Sequence, residues 1–154
     1  MSQGKYANEI LRRFCMERSK PMETPLADNW RKEDATLVEV VEATVYRQLV
    51  ASLMYLVNTR PNMCYVVNQL SQAMVRRTKL YWKATKNVLR YLIRTSQYGL
   101  WYKQTKGVKL QGFTDADWAR SPSNRKSILG GIFSIRSMSI SWYNRKKDRL
   151  HSVQ

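Results

Sequence analysis

Two aspartates in the C-terminal half are the side chains of this sequence best placed for metal chemistry. Asp115 and Asp117 are two residues apart, so on a β-strand both carboxylates lie on the same face. Carboxylate oxygens bind Mg²⁺, but two acids on one strand form only a weak, water-rich site. Phosphodiester hydrolysis requires several carboxylates around two ions about 4 Å apart. The pair alone therefore does not predict a hydrolase.

Other catalytic arrangements lack their components. His151 is the single histidine and lies in a basic tail, so neither a Ser/His/Asp nor a Cys/His arrangement can be assembled. Cys15 and Cys64 are too few for a disulfide framework and have no zinc-site spacing around them, and we expect two buried thiols. Gly130 and Gly131 lack the further glycines and the lysine of a phosphate-binding loop. We predict a protein that is not an enzyme, with no metal, cofactor or small-molecule substrate.

The net charge of +16 is distributed unevenly along the chain. Residues 1–42 hold 7 basic and 8 acidic groups, residues 43–114 hold 12 basic and no acidic groups, and residues 115–154 hold 8 basic and 3 acidic groups. An acid-free block repels itself unless it faces a polyanion. Nucleic acid is the partner that this pattern predicts. An anionic membrane surface and a charge that only keeps the protein soluble remain alternatives.

A predicted helix over residues 79–95 carries the clearest binding surface. At about 100° per residue, its cations fall on one narrow arc and its core-type residues on the other side. Such a stripe can follow a phosphate backbone, and each neutralised phosphate adds about one unit to the salt dependence of binding; a merely solvated face is the alternative. Trp82 lies beside the cations and is a candidate for stacking on a base. The cations, here called the basic stripe, are Lys79, Lys83, Lys86, Arg90 and Arg94, and the core-facing residues are Tyr81, Thr85, Val88, Leu89 and Leu92.

Three helices are predicted before the basic stripe, over about residues 3–18, 45–57 and 61–75. The segment 20–41 is rich in proline and acid, which indicates an exposed, mobile linker. Pro61 suits the first turn of the third helix, with Thr59 as its cap. The buried side of that helix is predicted to comprise Tyr65, Val66, Leu70 and Met74.

After Gly99 the pattern alternates, which predicts strands at about residues 100–103, 108–114, 131–135 and 138–142, with turns at Gly107 and at Gly130-Gly131. The predicted class is α+β, a helical half followed by a sheet. We expect an N-terminal helix and acidic linker (1–42), a basic helical region (43–97) and a sheet region (98–154). No apolar run reaches the ~18 residues of a membrane span. The charged N-terminus shows no export signal, so an intracellular location is expected.

Several motifs agree in their spacing with one known family. Ser-Gln-x-Lys-Tyr begins at Ser2, Thr-Arg-Pro at Thr59, Trp-x-Ala-x-Lys-x-Val-Leu-Arg-Tyr-Leu at Trp82, and Thr-Asp-Ala-Asp-Trp-Ala at Thr114. Over nearly its whole length the chain thereby resembles Copia-type retrotransposon Pol polyproteins. The resemblance covers the thumb and connection of the reverse transcriptase and the start of the RNase H domain. It implies a thumb-like helical half and a truncated RNase H-like sheet.

The resemblance also assigns roles to the aspartates. Asp115 matches the first RNase H carboxylate, with Asp117 beside it. In the family, the polymerase's Tyr-x-Asp-Asp turn precedes the Ser-Gln-x-Lys-Tyr motif, and the next RNase H carboxylate lies in a Ser-Thr-Glu-Ala-Glu segment that would follow residue 154. We therefore expect an incomplete ancestral Mg²⁺ site in a non-catalytic fragment. Arg136 replaces a customary glycine, which is expected to strain a turn that requires positive φ.

A second function stays open. Arg90, Tyr91, Leu92 and Ile93 form a sequence one residue away from the Arg-x-Leu-Arg motif of oomycete plant-pathogen effectors, and similar reverse-transcriptase fragments are named secreted RxLR effectors. That resemblance implies a protein that is secreted, enters the host cytoplasm or nucleus, and suppresses defence or cell death through host plant proteins. The four residues also belong to the family's helix, so coincidence explains the motif equally well.

Overall fold

The computed structural model describes residues 1–26, 30, 42–75, 78–104, 106–117 and 128–146. The chain divides into two compact units, Met1–Leu100 and Trp101–Gln154. The first unit is helical, and the second contains a three-stranded antiparallel sheet. The predicted α+β class is confirmed. The tryptophan of the Thr-Asp-Ala-Asp-Trp-Ala motif (Trp118), His151 and most of the predicted linker (27–29 and 31–41) lie outside the described residues.

The helical unit contains four α-helices whose positions follow the apolar periodicity. The helix predicted over 45–57 and the one predicted over 79–95 are both confirmed. The predicted helix over 61–75 is shorter, because a separate 3-10 turn precedes it and it ends at Ser71. The helices are α1 (Gly4–Arg13), α2 (Ala43–Leu56), α3 (Cys64–Ser71) and α4 (Lys79–Thr95), and 3-10 turns at Val57–Thr59 and Pro61–Met63 join α2 to α3.

One apolar core joins all four helices. Tyr46 on α2 is fully buried, and its hydroxyl donates to the carbonyl oxygen of Leu70 at 2.8 Å, so burial leaves this polar atom satisfied. Each buried Leu or Val stabilises the unit by about 1.5–3 kcal/mol relative to an exposed one. The largest apolar contributors are Ile10, Tyr46, Leu49, Leu53, Leu56, Met63, Leu70, Leu89 and Leu92.

Helix α1 ends earlier than its sequence predicts. Cys15 adopts a left-handed backbone with φ of 54°, and the amide of Met16 donates to the carbonyl oxygen of Leu11 at 2.8 Å. A left-handed residue just after the last turn is a common helix stop. Cys15 is exposed and Cys64 only half-buried, so the expectation of two buried thiols is wrong.

Two predictions around α3 are also wrong. The hydroxyl of Thr59 donates to Oε1 of Gln3 at 2.9 Å and therefore ties α1 to the turn instead of capping a helix. Tyr65 is 49% exposed, whereas Val66 and Leu70 are buried as predicted. Tyr65 lies on the side of this short helix that faces away from the core.

The sheet consists of β1 (Leu110–Asp117), β2 (Ile128–Ile135) and β3 (Met138–Lys146), in the order β1-β2-β3. The strand predicted at 100–103 does not form, and the neighbouring Gly99 makes only an isolated bridge with Ser2. Gly130 and Gly131 lie inside β2 and not in a turn. A Cβ at Gly131 would lie 2.4 Å from the ring of Tyr143, so this glycine makes room for an aromatic side chain.

The β2–β3 turn contains Arg136, whose φ is 54°. The positive φ expected there is confirmed. Its amide donates to the carbonyl oxygen of Lys109 at 2.8 Å, and its Nη2 donates to that of Lys106 at 2.7 Å. Gly107, at φ 79°, forms the bend that was predicted at that position. The two bonds of Arg136 thus link the hairpin to the residues that lead into β1.

Candidate nucleic-acid interface

Helix α4 presents one face to the core and the other to solvent. Thr85, Val88, Leu89 and Leu92 are buried as predicted, while Tyr81 is half-buried. The hydroxyl of Thr85 donates to the carbonyl oxygen of Tyr81 at 2.7 Å, a local bond that satisfies a polar group in the core. The core contacts fix the rotation of the helix and so decide which side chains lie outside.

The basic stripe occupies the outer face, as the helical periodicity predicted. Lys79, Lys83, Lys86 and Arg94 are exposed, and Arg90 is half-buried. Lys86 Nζ lies 5.3 Å from the ring centroid of Trp82, a cation–π contact. Since Trp82 is partly buried and in contact with Lys86, stacking on a base would require this contact to rearrange.

The C-terminal end of the stripe contacts an N-terminal segment, residues 20–23, here called the strap. Arg90 Nε donates to the carbonyl oxygen of Lys20 at 2.6 Å, and the amide of Met22 donates to the carbonyl oxygen of Arg90 at 3.2 Å. Arg94 Nη1 lies 3.5 Å from Oε1 of Glu23. Arg90 and Arg94 are therefore engaged with residues 20–23, contacts that the sequence did not predict because these residues were expected to form an exposed linker.

A further cation, Arg60, is buried beneath the surface. It is 1% exposed, its Nη2 donates to the carbonyl oxygen of Ser96 at 2.9 Å, and its guanidinium lies 5.9 Å from the ring centroid of Tyr98. Burial lowers the pKa of Arg60 below its usual value. Within the described part of the chain, its Nε and Nη1 have no hydrogen-bond partner. Only the Thr-Arg-Pro motif singled out this residue in the sequence, and no charge pattern predicted its burial.

Comparisons with known proteins identify the family. The chain is 37% identical over 147 residues to the retrovirus-related Pol polyprotein from transposon RE2 of Arabidopsis thaliana, covering 96% of this chain and 10% of that protein. It is 36% identical over 152 residues to the Pol polyprotein from transposon TNT 1-94 of Nicotiana tabacum, covering 94% of this chain and 11% of that protein. The chain belongs to the Copia-type retrotransposon Pol polyprotein family. It spans about a tenth of the length of these curated relatives.

A shorter relative of this Copia-type chain has a different name. Secreted RxLR effector protein 161 of Plasmopara viticola is 39% identical over 103 residues, which cover 66% of this chain and 72% of that protein. No protein-family model matches the chain. No solved structure matches it significantly.

The aspartates singled out in the sequence lie on β1 of the Copia-type chain. Asp115 is exposed and pairs across the sheet with Gly130, which in turn pairs with Asn144. Asp117 pairs with Ile128 at the end of the strand, and its side chain lies outside the described part of the structure. In the described residues, no group of three or more His, Cys, Asp or Glu side chains is arranged to hold a metal ion. The cross-strand neighbours of Asp115 thus supply an amide and a glycine but no carboxylate.

The four residues of the RxLR-like motif lie within α4. Leu92 is fully buried, Arg90 bonds to the strap, and the hydroxyl of Tyr91 accepts a 2.6 Å hydrogen bond from Nδ2 of Asn62. Ile93 is partly buried against the core. Recognition of these residues as a linear peptide would therefore require α4 to leave the core. In the described residues, no helix has the length and apolar character needed to cross a membrane.

Proposed function

We propose that the chain is a non-catalytic, Copia-derived reverse transcriptase/RNase H fragment that binds nucleic acid without sequence preference through the basic stripe. The exposure of Lys79, Lys83 and Lys86 on one face of a helix whose other face is core carries this proposal. They lie in a stretch of sequence, residues 43–114, that contains 12 basic and no acidic residues.

The spacing of the three lysines matches a phosphate backbone. Lys79 and Lys86 are seven residues apart, which corresponds to about 10 Å along a helix axis. One strand of a duplex carries a phosphate about every 3.4 Å of axis, so about three phosphates face this length of helix. Contacts of this kind are made to phosphates and not to base edges, so they carry no sequence information.

Salt titration of a labelled duplex tests the proposal. The variant Lys83→Gln/Lys86→Gln is compared with Lys5→Gln/Arg18→Gln, which removes two exposed charges from outside α4. The stripe variant is expected to lower the slope of log affinity against log salt by about two, since each phosphate contact contributes about 0.9. The control keeps the wild-type slope. Equal losses in both variants would show that only the total charge matters.

The non-catalytic part of the proposal has its own test. Asp115 has Gly130 as its cross-strand partner, and one exposed carboxylate does not hold the two metal ions that phosphodiester hydrolysis requires. We expect an RNA/DNA hybrid incubated with Mg²⁺ to be cleaved no faster by the wild type than by Asp115→Asn. Mg²⁺-dependent cleavage that Asp115→Asn abolishes would contradict the proposal.

A second candidate function is supported by one specific observation, the 39% identity to a protein named as a secreted RxLR effector. In that case the chain is secreted, enters the host cytoplasm or nucleus, and acts on host plant proteins to suppress defence or cell death. Expression in leaf cells is expected to reduce induced cell death. The variant Lys83→Gln/Lys86→Gln then separates two modes of action: an effect through nucleic acid is weakened in this variant, whereas an effect through a protein partner that does not contact the stripe is kept. Unchanged cell death would exclude this candidate.

A further inference from the structure

The sheet carries a groove on one of its faces. Strand alternation and the pairing register place Gln111, Phe113, Ile132 and Ser134 on the same face. Together with residues of the β2–β3 turn they line an open groove of about 720 Å³. The lining residues are Lys109, Gln111, Phe113, Ile132, Ser134, Arg136, Ser137 and Ser139.

The lining chemistry is ordered along the groove. Phe113 is 59% exposed and presents an aromatic ring in the middle of β1. Lys109 and Arg136 lie at the hairpin end, and none of the lining residues in the described part of the sheet is acidic. The groove therefore offers a stacking surface next to a cationic end.

Arg136 is held in place before any ligand binds. Its Nη2 bond to Lys106 and its amide bond to Lys109 fix both its side chain and its backbone. Its left-handed φ of 54° is unfavourable for an L-residue, and strain of this kind is often retained at functional positions. A fixed cation loses little conformational entropy when an anion binds to it.

We infer that this groove binds a single-stranded polynucleotide, with one base stacked on Phe113 and a phosphate at Lys109 and Arg136. Lys109 and Phe113 are four residues apart, which corresponds to about 13 Å along a strand and leaves room for more than one nucleotide. A paired base is already stacked in its duplex, whereas a single strand can present its bases to an aromatic ring.

Asp115 gives the site a direction. It lies on the same face two residues beyond Phe113, at the end opposite to Lys109. Its carboxylate repels a phosphate at that end, so the phosphate is held at the hairpin end and the base extends toward Asp115. The inference does not depend on the basic stripe, which lies in the other compact unit.

The test uses the whole chain with Lys83→Gln/Lys86→Gln already present. Binding by the basic stripe is thereby weakened, so failure of the groove inference can be distinguished from failure of the proposed function of the stripe. The probe is a labelled tetrathymidylate, and its binding is measured by fluorescence anisotropy. Phe113→Ala is expected to weaken binding about 5- to 150-fold, the loss that corresponds to one stacked base at about 1–3 kcal/mol. Arg136→Gln is expected to reduce the salt slope by about one.

Matched controls lie on the opposite face of the same sheet. Leu110→Ala removes an apolar side chain that is 65% exposed, and Arg145→Gln removes an exposed cation. Both are expected to leave tetrathymidylate binding unchanged. An equal loss in either control would overturn the inference, as would a duplex or an apolar peptide that displaces the probe better than unlabelled tetrathymidylate does.

Two further measurements separate stacking from charge and from misfolding. Tripolyphosphate, which carries the anionic charge without a base, is expected to compete poorly; competition as strong as that of tetrathymidylate would overturn the inference. Phe113→Trp keeps an aromatic surface and is expected to bind at least as well as the wild type, with its fluorescence quenched by the bound base. Loss of binding in this variant with the thermal melt unchanged would likewise contradict the site.

Discussion

Nη1 of Arg94, in the last turn of α4, lies 3.5 Å from Oε1 of Glu23 in the strap. Both side chains are more than half exposed, so the pair contributes little to stability. It does place a carboxylate beside the basic stripe, at the position of a phosphate in the proposed nucleic-acid complex. If nucleic acid binds the basic stripe as proposed, the strap and the nucleic acid compete for the same end of α4.

Removal of this carboxylate is expected to strengthen nucleic-acid binding. Glu23→Gln frees Arg94, so the slope of log affinity against log salt should steepen by up to about one, and low-salt affinity should rise a few-fold. Glu9→Gln is the matched control, because it changes the net charge equally while disrupting a pair with Arg13 on α1. A similar gain in both variants would assign the effect to net charge and not to the strap.

The buried Arg60 is expected to respond to volume more than to charge. Arg60→Ala removes the bond to the carbonyl oxygen of Ser96 and leaves a cavity, which should lower the free energy of unfolding by about 2–4 kcal/mol. Arg60→Met fills most of the space and removes a poorly satisfied charge, so it should remain within about 1 kcal/mol of the wild type.

Urea unfolding of both Arg60 variants checks this expectation, with Arg47→Ala on the exposed face of α2 as the control expected to shift by less than about 0.5 kcal/mol. If Arg60→Met loses as much stability as Arg60→Ala, the expectation is wrong. In that case the hydrogen bond from Arg60 to Ser96 stabilises the unit by more than the burial of the guanidinium charge destabilises it.

Arg136 allows a direct test of backbone strain. Glycine normally destabilises a hairpin relative to alanine, but at a φ of 54° the order reverses because glycine has no Cβ. Arg136→Gly should therefore be more stable than Arg136→Ala by about 1 kcal/mol, although both lose the side-chain bond to Lys106. Thermal melts of the two variants make the comparison, and an alanine variant at least as stable as the glycine variant would rule out strain at this turn.

The sequence predicted α4 to its first and last residue because cations and apolar residues alternate there with a clear helical period. It failed where a tertiary contact overrides a local pattern. The alternation at 100–103 predicted a strand, but Leu100 donates from its amide to the carbonyl oxygen of Met1 and the chain then continues without a strand partner. Gly131 was read as a turn residue because the ring of Tyr143 that needs its space lies on another strand.

The candidate site shows the same division: the features set by local spacing were predicted, and those set by tertiary contacts were not. The period of α4 placed the basic stripe on the outer face, since the spacing of its apolar residues determines which side packs on the core. The strap contacts of Arg90 and Arg94, and the groove on the sheet, depend on residues far apart in the chain. No local pattern in the sequence predicts which cations will contact a distant segment of the chain.

The thiol of Cys64 should make stability depend on pH in the alkaline range. Burial raises the pKa of Cys64 above its usual value of 9.0, so the unfolded chain loses this proton at a lower pH than the folded chain does. Ionisation of Cys64 therefore leaves the free energy of unfolding unchanged below about pH 9. The free energy of unfolding falls as the pH rises from there through the raised pKa of the folded state. Urea unfolding at pH 7.5 and pH 10 should therefore show a smaller decline for Cys64→Ala than for the wild type. Cys15→Ala, at an exposed position, should decline as the wild type does, and an equal decline in all three proteins would show that Cys64 ionises alike in both states.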